Sequence, residues 1–147
     1  MMVQIYAIAD EVASIITDGG LGVTAVRMYL VDDDLPALTT QRVVVLPVEE
    51  TRESNTRSSV LRTIVIAVVV LKKLDNSDGI TIIDNDEVDI QLALMESIVE
   101  LFENKSLPVT KAGWVLSNIS LTEIMAEGAL QERRMFQSTA TLTFIVE

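Results

Sequence analysis

The sequence contains neither cysteine nor histidine. That double absence excludes thiolate and histidine-assisted nucleophiles, CxxC redox chemistry and Cys/His zinc sites together. Aromatic residues are scarce: three Phe, two Tyr and one Trp leave little for a platform on which sugar rings stack. Bases are scarce too, with 11 Lys and Arg against 22 Asp and Glu and a formal charge of −11. A grip on nucleic-acid phosphates needs the opposite balance, because its affinity comes from Lys and Arg neutralising backbone charge. Long apolar runs are missing. The most hydrophobic stretch is Ile64 to Leu71, flanked by Arg62 and Lys72-Lys73, and a membrane-spanning helix needs about 20 residues. The N-terminus runs from Met1-Met2-Val3-Gln4 to Asp10-Glu11 with no basic region, so no secretory leader is expected. The expectation at this level is a soluble, cytoplasmic product with no membrane contact.

What is present is a globular composition. The chain has 147 residues, 49% of them hydrophobic, enough for one domain with one well-buried core. Its charges are uneven. Residues 1–26 carry three acids and no base, and residues 74–104 carry nine acids and no base. Both segments read as helices, so the surplus acid is expected on solvated helix faces that keep the protein soluble.

Residues 3–17 place Ile5, Ile8, Val12, Ile15 and Ile16 on one stripe at helical spacing, and Asp18-Gly19-Gly20 stops that helix. Residues 23–31 are β-rich and read as a strand, followed by an acidic turn at 32–36. Residues 42–48 read as a second strand, with Pro47 demanding an edge or bulge because it lacks an amide donor. Residues 49–59 hold no apolar residue and read as a mobile, solvent-exposed loop. Residues 60–73 form the strongest strand; Val60 to Leu71 would extend roughly 40 Å at about 3.3 Å per residue. A long hairpin with a polar tip at 49–59 is therefore expected over 42–71. Every residue from Ile64 to Leu71 is apolar, which asks for cover on both faces, from another layer or another subunit.

A turn at 75–79 and a short extended piece at 80–83 precede Asp84, which caps a helix to about Glu103 with Glu87 completing a capping box. Val88, Ile90, Leu92, Leu94, Met95, Ile98, Val99, Leu101 and Phe102 spread over an arc of roughly 200° at 100° per residue. Asp89, Glu96, Glu100 and Glu103 fill the remaining side. So wide an arc is a second pointer to a subunit interface. Residues 104–113 read as a loop, 114–122 as a strand, and 123–134 as a loop with a possible helical turn. Residues 138–146 form a closing strand in which Ala140, Leu142, Phe144 and Val146 alternate with Thr139, Thr141, Thr143 and Ile145. The fold class expected is α+β: one domain over 1–147, an antiparallel or mixed sheet with a long β-hairpin, and two helices packed on one face.

Catalytic motifs fail on inspection. Asp75-Asn76-Ser77-Asp78-Gly79 faintly resembles a calcium loop, but position 12 is Asp86 rather than a bidentate Glu. A turn and a helix cap explain these acids better. Gly19-Gly20-Leu21-Gly22 follows a helix and lacks a downstream Gly-Lys-Ser/Thr, so it is no phosphate loop. A paired-carboxylate glycosidase cannot be judged from spacing alone. No catalytic residue, cofactor or metal is expected. The basic residues in notable places are Arg52 and Arg57 in the hairpin tip and Arg133-Arg134 before the last strand. They read either as solvated loop charge or as docking points for an acidic partner surface. With Ile64, Ile66, Val68 and Val70 of the apolar strand they form the expected partner or oligomer interface.

The element order resembles a known pattern. A helix with Ile5 to Thr17 leads to the strand at 23–31, a long polar-tipped hairpin (42–48, 60–71), a helix at 87–103, a strand at 114–121 and the closing segment Arg134-Met135-Phe136-Gln137-Ser138-Thr139-Ala140-Thr141-Leu142-Thr143-Phe144. This is similar to the tail terminator, or tail-completion, family of long-tailed bacteriophages, the lambda-type group and its contractile-tail relatives. The resemblance covers most of the chain and rests on element order and size. It implies a structural virion protein: a homo-oligomeric ring of six on the last ring of the tail tube. Such a ring stops polymerisation and presents the joint to the neck or head connector. Its partners would be the tail tube protein, the connector and, in contractile tails, the sheath protein. Genome DNA would pass through without specific binding, eased by the negative charge of the ring. The alternatives are another neck or head-to-tail joining protein, or a metal-dependent hydrolase built on Asp75, Asp78 and Asp84.

Overall fold

The computed structural model describes residues 5–29, 42–54, 60–73, 85–103, 106–107, 114–123 and 135–146. The order is α1 (Ile5–Thr17), β1 (Ala25–Arg27), β2 (Arg42–Ser54), β3 (Val60–Lys73), α2 (Asn85–Phe102), β4 (Ser106–Leu107), β5 (Trp114–Glu123) and β6 (Met135–Val146). The strands make one mixed, mostly antiparallel sheet in the order β1-β2-β3-β6-β5-β4. The fold is α+β, with both helices contributing to one core cluster on one face of the sheet.

Helix α1 forms because Ile8, Val12 and Ile16 recur at helical spacing, with Ala9 and Ala13 letting the backbone approach the sheet; all five are buried. Its end is built as the glycine pair predicts. The Gly19 amide donates to the Ile16 carbonyl at 3.2 Å, a tightened last turn, and Gly20 takes a φ of +77° that a Cβ would oppose. Gly19 also has no room for a side chain, since an added Cβ would lie 2.6 Å from Leu101 Cδ1 of α2. Thr17 then holds the returning chain: its Oγ1 accepts a hydrogen bond from the Ala25 amide at 3.0 Å. That bond blunts the edge at Ala25, one way a sheet limits stray pairing.

Strand β1 runs parallel to β2, Ala25 opposite Val43 and Arg27 opposite Val45. Parallel neighbours need a connection of about a dozen residues or more, and residues 28–41 supply it. The strand expected over 23–31 is thus much shorter among the described residues. Between β2 and β3 the hairpin pairs from Arg42–Leu71 to Ser54–Val60, with a register shift between Pro47 and Glu49. The shift lies beside Pro47, where the missing amide donor makes a regular ladder impossible. Residues 49–54, expected as loop, continue strand β2. Hairpin pairing needs only backbone bonds and compatible cross-strand neighbours, which a run without apolar residues still provides. Strand β6 starts three residues earlier than expected, and Ser106–Leu107, expected as loop, pairs with β5 as β4. The expected turns at 32–36 and 75–79, the extended piece at 80–83, the cap at Asp84 and the segment 124–134 lie outside the described residues.

The core lies between the sheet and the helices. Ile64, Ile66, Val68 and Val70 of β3 meet Val43 and Val45 of β2 and Phe136, Ala140, Leu142 and Phe144 of β6. Over them lie Ile8, Val12 and Ile16 of α1 and Met95, Ile98 and Phe102 of α2. Each large side chain so buried contributes about 1.5–3 kcal/mol relative to exposure. The alternation expected in β6 is observed: Ala140, Leu142 and Phe144 are buried, and Thr139, Thr141, Thr143 and Ile145 are half-buried.

Two expectations are corrected here. Ile64, Ile66, Val68 and Val70 were expected at a subunit interface; they are fully buried under the helices of their own chain, so no partner can reach them. The opposite side of β3 does not call for a subunit either. Val69 and Leu71 are buried with Val44 in a second cluster, against Met28 and Leu46. The alternating strand buries side chains on both of its faces within its own chain. The broad arc on α2 also contracts. Its buried stripe is Gln91, Met95, Ile98 and Phe102, the other apolar positions of the arc are half-buried against the core, and Ile90 stands outside it, 63% exposed.

Candidate functional site

The large apolar side chains that remain exposed lie outside the run from Ile64 to Leu71. Among the described residues they are Tyr6, Val26 and Tyr29 near the β1 edge, Val48 and Val60 on the outlying hairpin, Ile90 on α2 and Leu121 on β5. Three surfaces follow.

The first is the outlying half of the hairpin. Cross-strand pairing sets Arg52 opposite Arg62 and Glu50 opposite Ile64. Two arginines facing each other would repel, and Glu50 resolves the conflict by bridging both. Arg52 Nε donates to Glu50 Oε2 at 2.8 Å, and Arg62 Nη2 donates to Glu50 Oε1. Burial pushes the Glu50 carboxyl up, but the hydrogen bonds from Arg62 and Arg52 and the charges of both outweigh it, so the net shift is downward. Arg52, an expected docking residue, is exposed here but committed to Glu50. Arg57, Arg133 and Arg134 lie outside the described residues.

The second surface is a knob at the β1 edge. Tyr6 and Asp10 share one face of α1 at i and i+4, and Arg27 and Tyr29 lie two residues apart at the end of β1. The Arg27 guanidinium carbon sits 5.6 Å from the Tyr6 ring centroid and 5.4 Å from that of Tyr29, within cation–π range. Arg27 Nε pairs with Asp10 Oδ1 at 2.7 Å, and Nη1 donates to the Tyr29 hydroxyl at 2.7 Å. Both tyrosines of the chain are thus spent on one arginine at the surface, where Tyr29 remains 68% exposed. Sequence reading missed this cluster. Its local signals were the i, i+4 and i, i+2 spacings, but only the packing of α1 against β1 joins them.

The third surface is a groove of 510 Å³ between α2 and β5, lined by Val99, Glu103, Leu116, Ser117, Asn118, Ile119 and Leu121. Strand β4 pairs only with Trp114 and Val115, so from Leu116 onward β5 is the outermost strand of the sheet among the described residues. Its register against β6 slips twice, between Leu116 and Asn118 and between Ser120 and Glu123, and bulges are common at edges. Glu103 lines the groove, and Asp89, Glu96 and Glu100 of α2 are likewise exposed.

Among the described residues no three acidic side chains come close enough to hold a metal ion; Asp75, Asp78 and Asp84 lie outside them. No described helix is long and apolar enough to cross a membrane.

No protein-family model and no curated protein matches the chain. A solved protein structure superposes on it with a TM-score of 0.53 at 12% sequence identity, covering 97% of this chain and 92% of the other. At that identity the likeness is one of fold alone, and it extends over the whole domain.

Proposed function

We propose that this chain is a structural assembly protein: a ring-forming tail terminator that caps the head-proximal end of a phage tail tube, ends its polymerisation and offers the joint to the neck connector. The observation that carries the reading is the order of elements along the chain, a helix, a short strand, a hairpin longer than its core requires, a second helix and closing strands. The hairpin is the part suited to a tube. Its outlying half carries polar and charged side chains with exposed Val48 and Val60, and among the described residues its β2 edge continues past the three residues that β1 covers. Such an edge can pair with the last tube ring and cover strands that would otherwise template further growth. A net charge of −11 suits a conduit through which DNA phosphates must slide without sticking. The site of action is then the virion neck, after assembly in the host cytoplasm.

The test is to polymerise tail tube protein with and without the chain. The expected result is tubes of limited length with extra density at one end. Tubes of unchanged length with bare ends would refute the reading, and density on connectors alone would make the chain a head-to-tail joining ring instead.

A further inference from the structure

We propose that neighbouring copies of this chain meet head to tail, with the Tyr6–Arg27–Tyr29 knob of one copy seated in the α2–β5 groove of the next. The inference deepens the ring reading and rests on it. Its first support is placement. The knob flanks β1 and the groove flanks β5, strands toward opposite ends of the sheet order, and each is built with a different helix, α1 for the knob and α2 for the groove. A heterologous interface that closes into a ring needs its two halves on different patches of the subunit; an isologous knob-to-knob contact would set Arg27 against Arg27.

The second support is chemistry. In a chain with 4% aromatics, two tyrosines and an arginine gathered at the surface have the composition of an interface hot spot. Asp10 and the Tyr29 hydroxyl already hold the guanidinium, so less side-chain entropy is lost on docking. The groove offers the complement: apolar Val99, Leu116, Ile119 and Leu121 set among polar Ser117 and Asn118, and Glu103 for the cation. Copies that each carry −11 repel one another. Seating Arg27 beside Glu103 lets the guanidinium, already paired with Asp10, share its charge with a second carboxylate.

Native mass spectrometry of the full chain tests this with two variants. The knob variant is Tyr6→Ala with Tyr29→Ala; the groove variant is Glu103→Arg with Leu121→Arg. All four side chains are exposed, and circular dichroism checks that each variant folds. The wild type is expected as a ring and each variant as a 16.2-kDa monomer. An equimolar mixture of the two is expected to form a dimer and nothing larger, because it retains one intact knob and one intact groove. Rings that survive either substitution set would overturn this interface and leave the ring reading standing. Two monomeric variants that never pair would overturn the match of knob to groove. A wild type that is monomeric at every concentration would overturn both the interface and the ring.

Discussion

The two halves of the β2–β3 hairpin share one ladder and differ in everything the ladder carries. The inner half, β2 up to Pro47 against β3 from Ile66, lies under both helices and has apolar side chains on both faces. The outer half, beyond Val48, pairs as regularly but is held by the Glu50 bridge between Arg52 and Arg62 and exposes Val48 and Val60. The contrast separates two readings of hydrophobicity. An eight-residue apolar run reported that its strand buries side chains on both faces within its own chain. The exposed large apolar groups are few and lie elsewhere, on α1, near the β1 edge, on the hairpin's outlying half, on α2 and on β5.

The contrast can be broken by substitution. Ile66→Ala in the inner half should cost about 2–5 kcal/mol in urea denaturation, the transfer and cavity terms of a buried aliphatic side chain. A loss under about 1 kcal/mol would mean that the inner half is not the core. Buried polar groups give the next effect. Gln91 occupies the core stripe of α2, and among the described residues its Oε1 is buried without a hydrogen-bond partner. Gln91→Leu should therefore raise stability by about 1 kcal/mol; a fall in melting temperature would mean that the amide is satisfied.

Glu50 supplies a smaller, pH-dependent effect. Its pKa is lowered from 4.5 in the folded chain, so its stabilisation is complete above the unfolded value and is lost as pH falls through the folded one. Glu50→Gln should be less stable than wild type by up to about 1 kcal/mol at neutral pH, given the partial exposure of the bridge. The gap should narrow as the pH falls below 4.5 and close once the pH lies below the lowered folded value. A gap that stays constant with pH would contradict the assignment. The smallest effect belongs to Val60→Ala in the outer half, within about 0.5 kcal/mol. A larger one would show that the outer hairpin packs against its own chain.

Much of this architecture is legible in the sequence, for local reasons. The apolar stripe of α1, the glycines that end it, the Thr and apolar alternation of β6 and the length of the hairpin are all short-range patterns that the structure reproduces. What was illegible is non-local. The parallel pairing of β1 with β2 depends on a crossover, and the two-residue β4 exists only because β5 is beside it. The phase of α2 is instructive: an apolar count draws Ile90 into the arc, yet the face that meets the sheet contains Gln91, one step of about 100° away. Interface residues were misplaced for a related reason. Apolar character identifies Ile64, Ile66, Val68 and Val70 as buried, but which chain buries them is a property of the fold. The knob was hidden because Tyr6 and Arg27 are brought together only by the packing of α1 on β1.

Negative-stain imaging of the purified chain bears most directly on the proposal that this protein acts as a ring. The account predicts closed annuli of uniform diameter with a stain-filled central hole. A field of single 16.2-kDa particles, unchanged when tail tube protein is added, would contradict it.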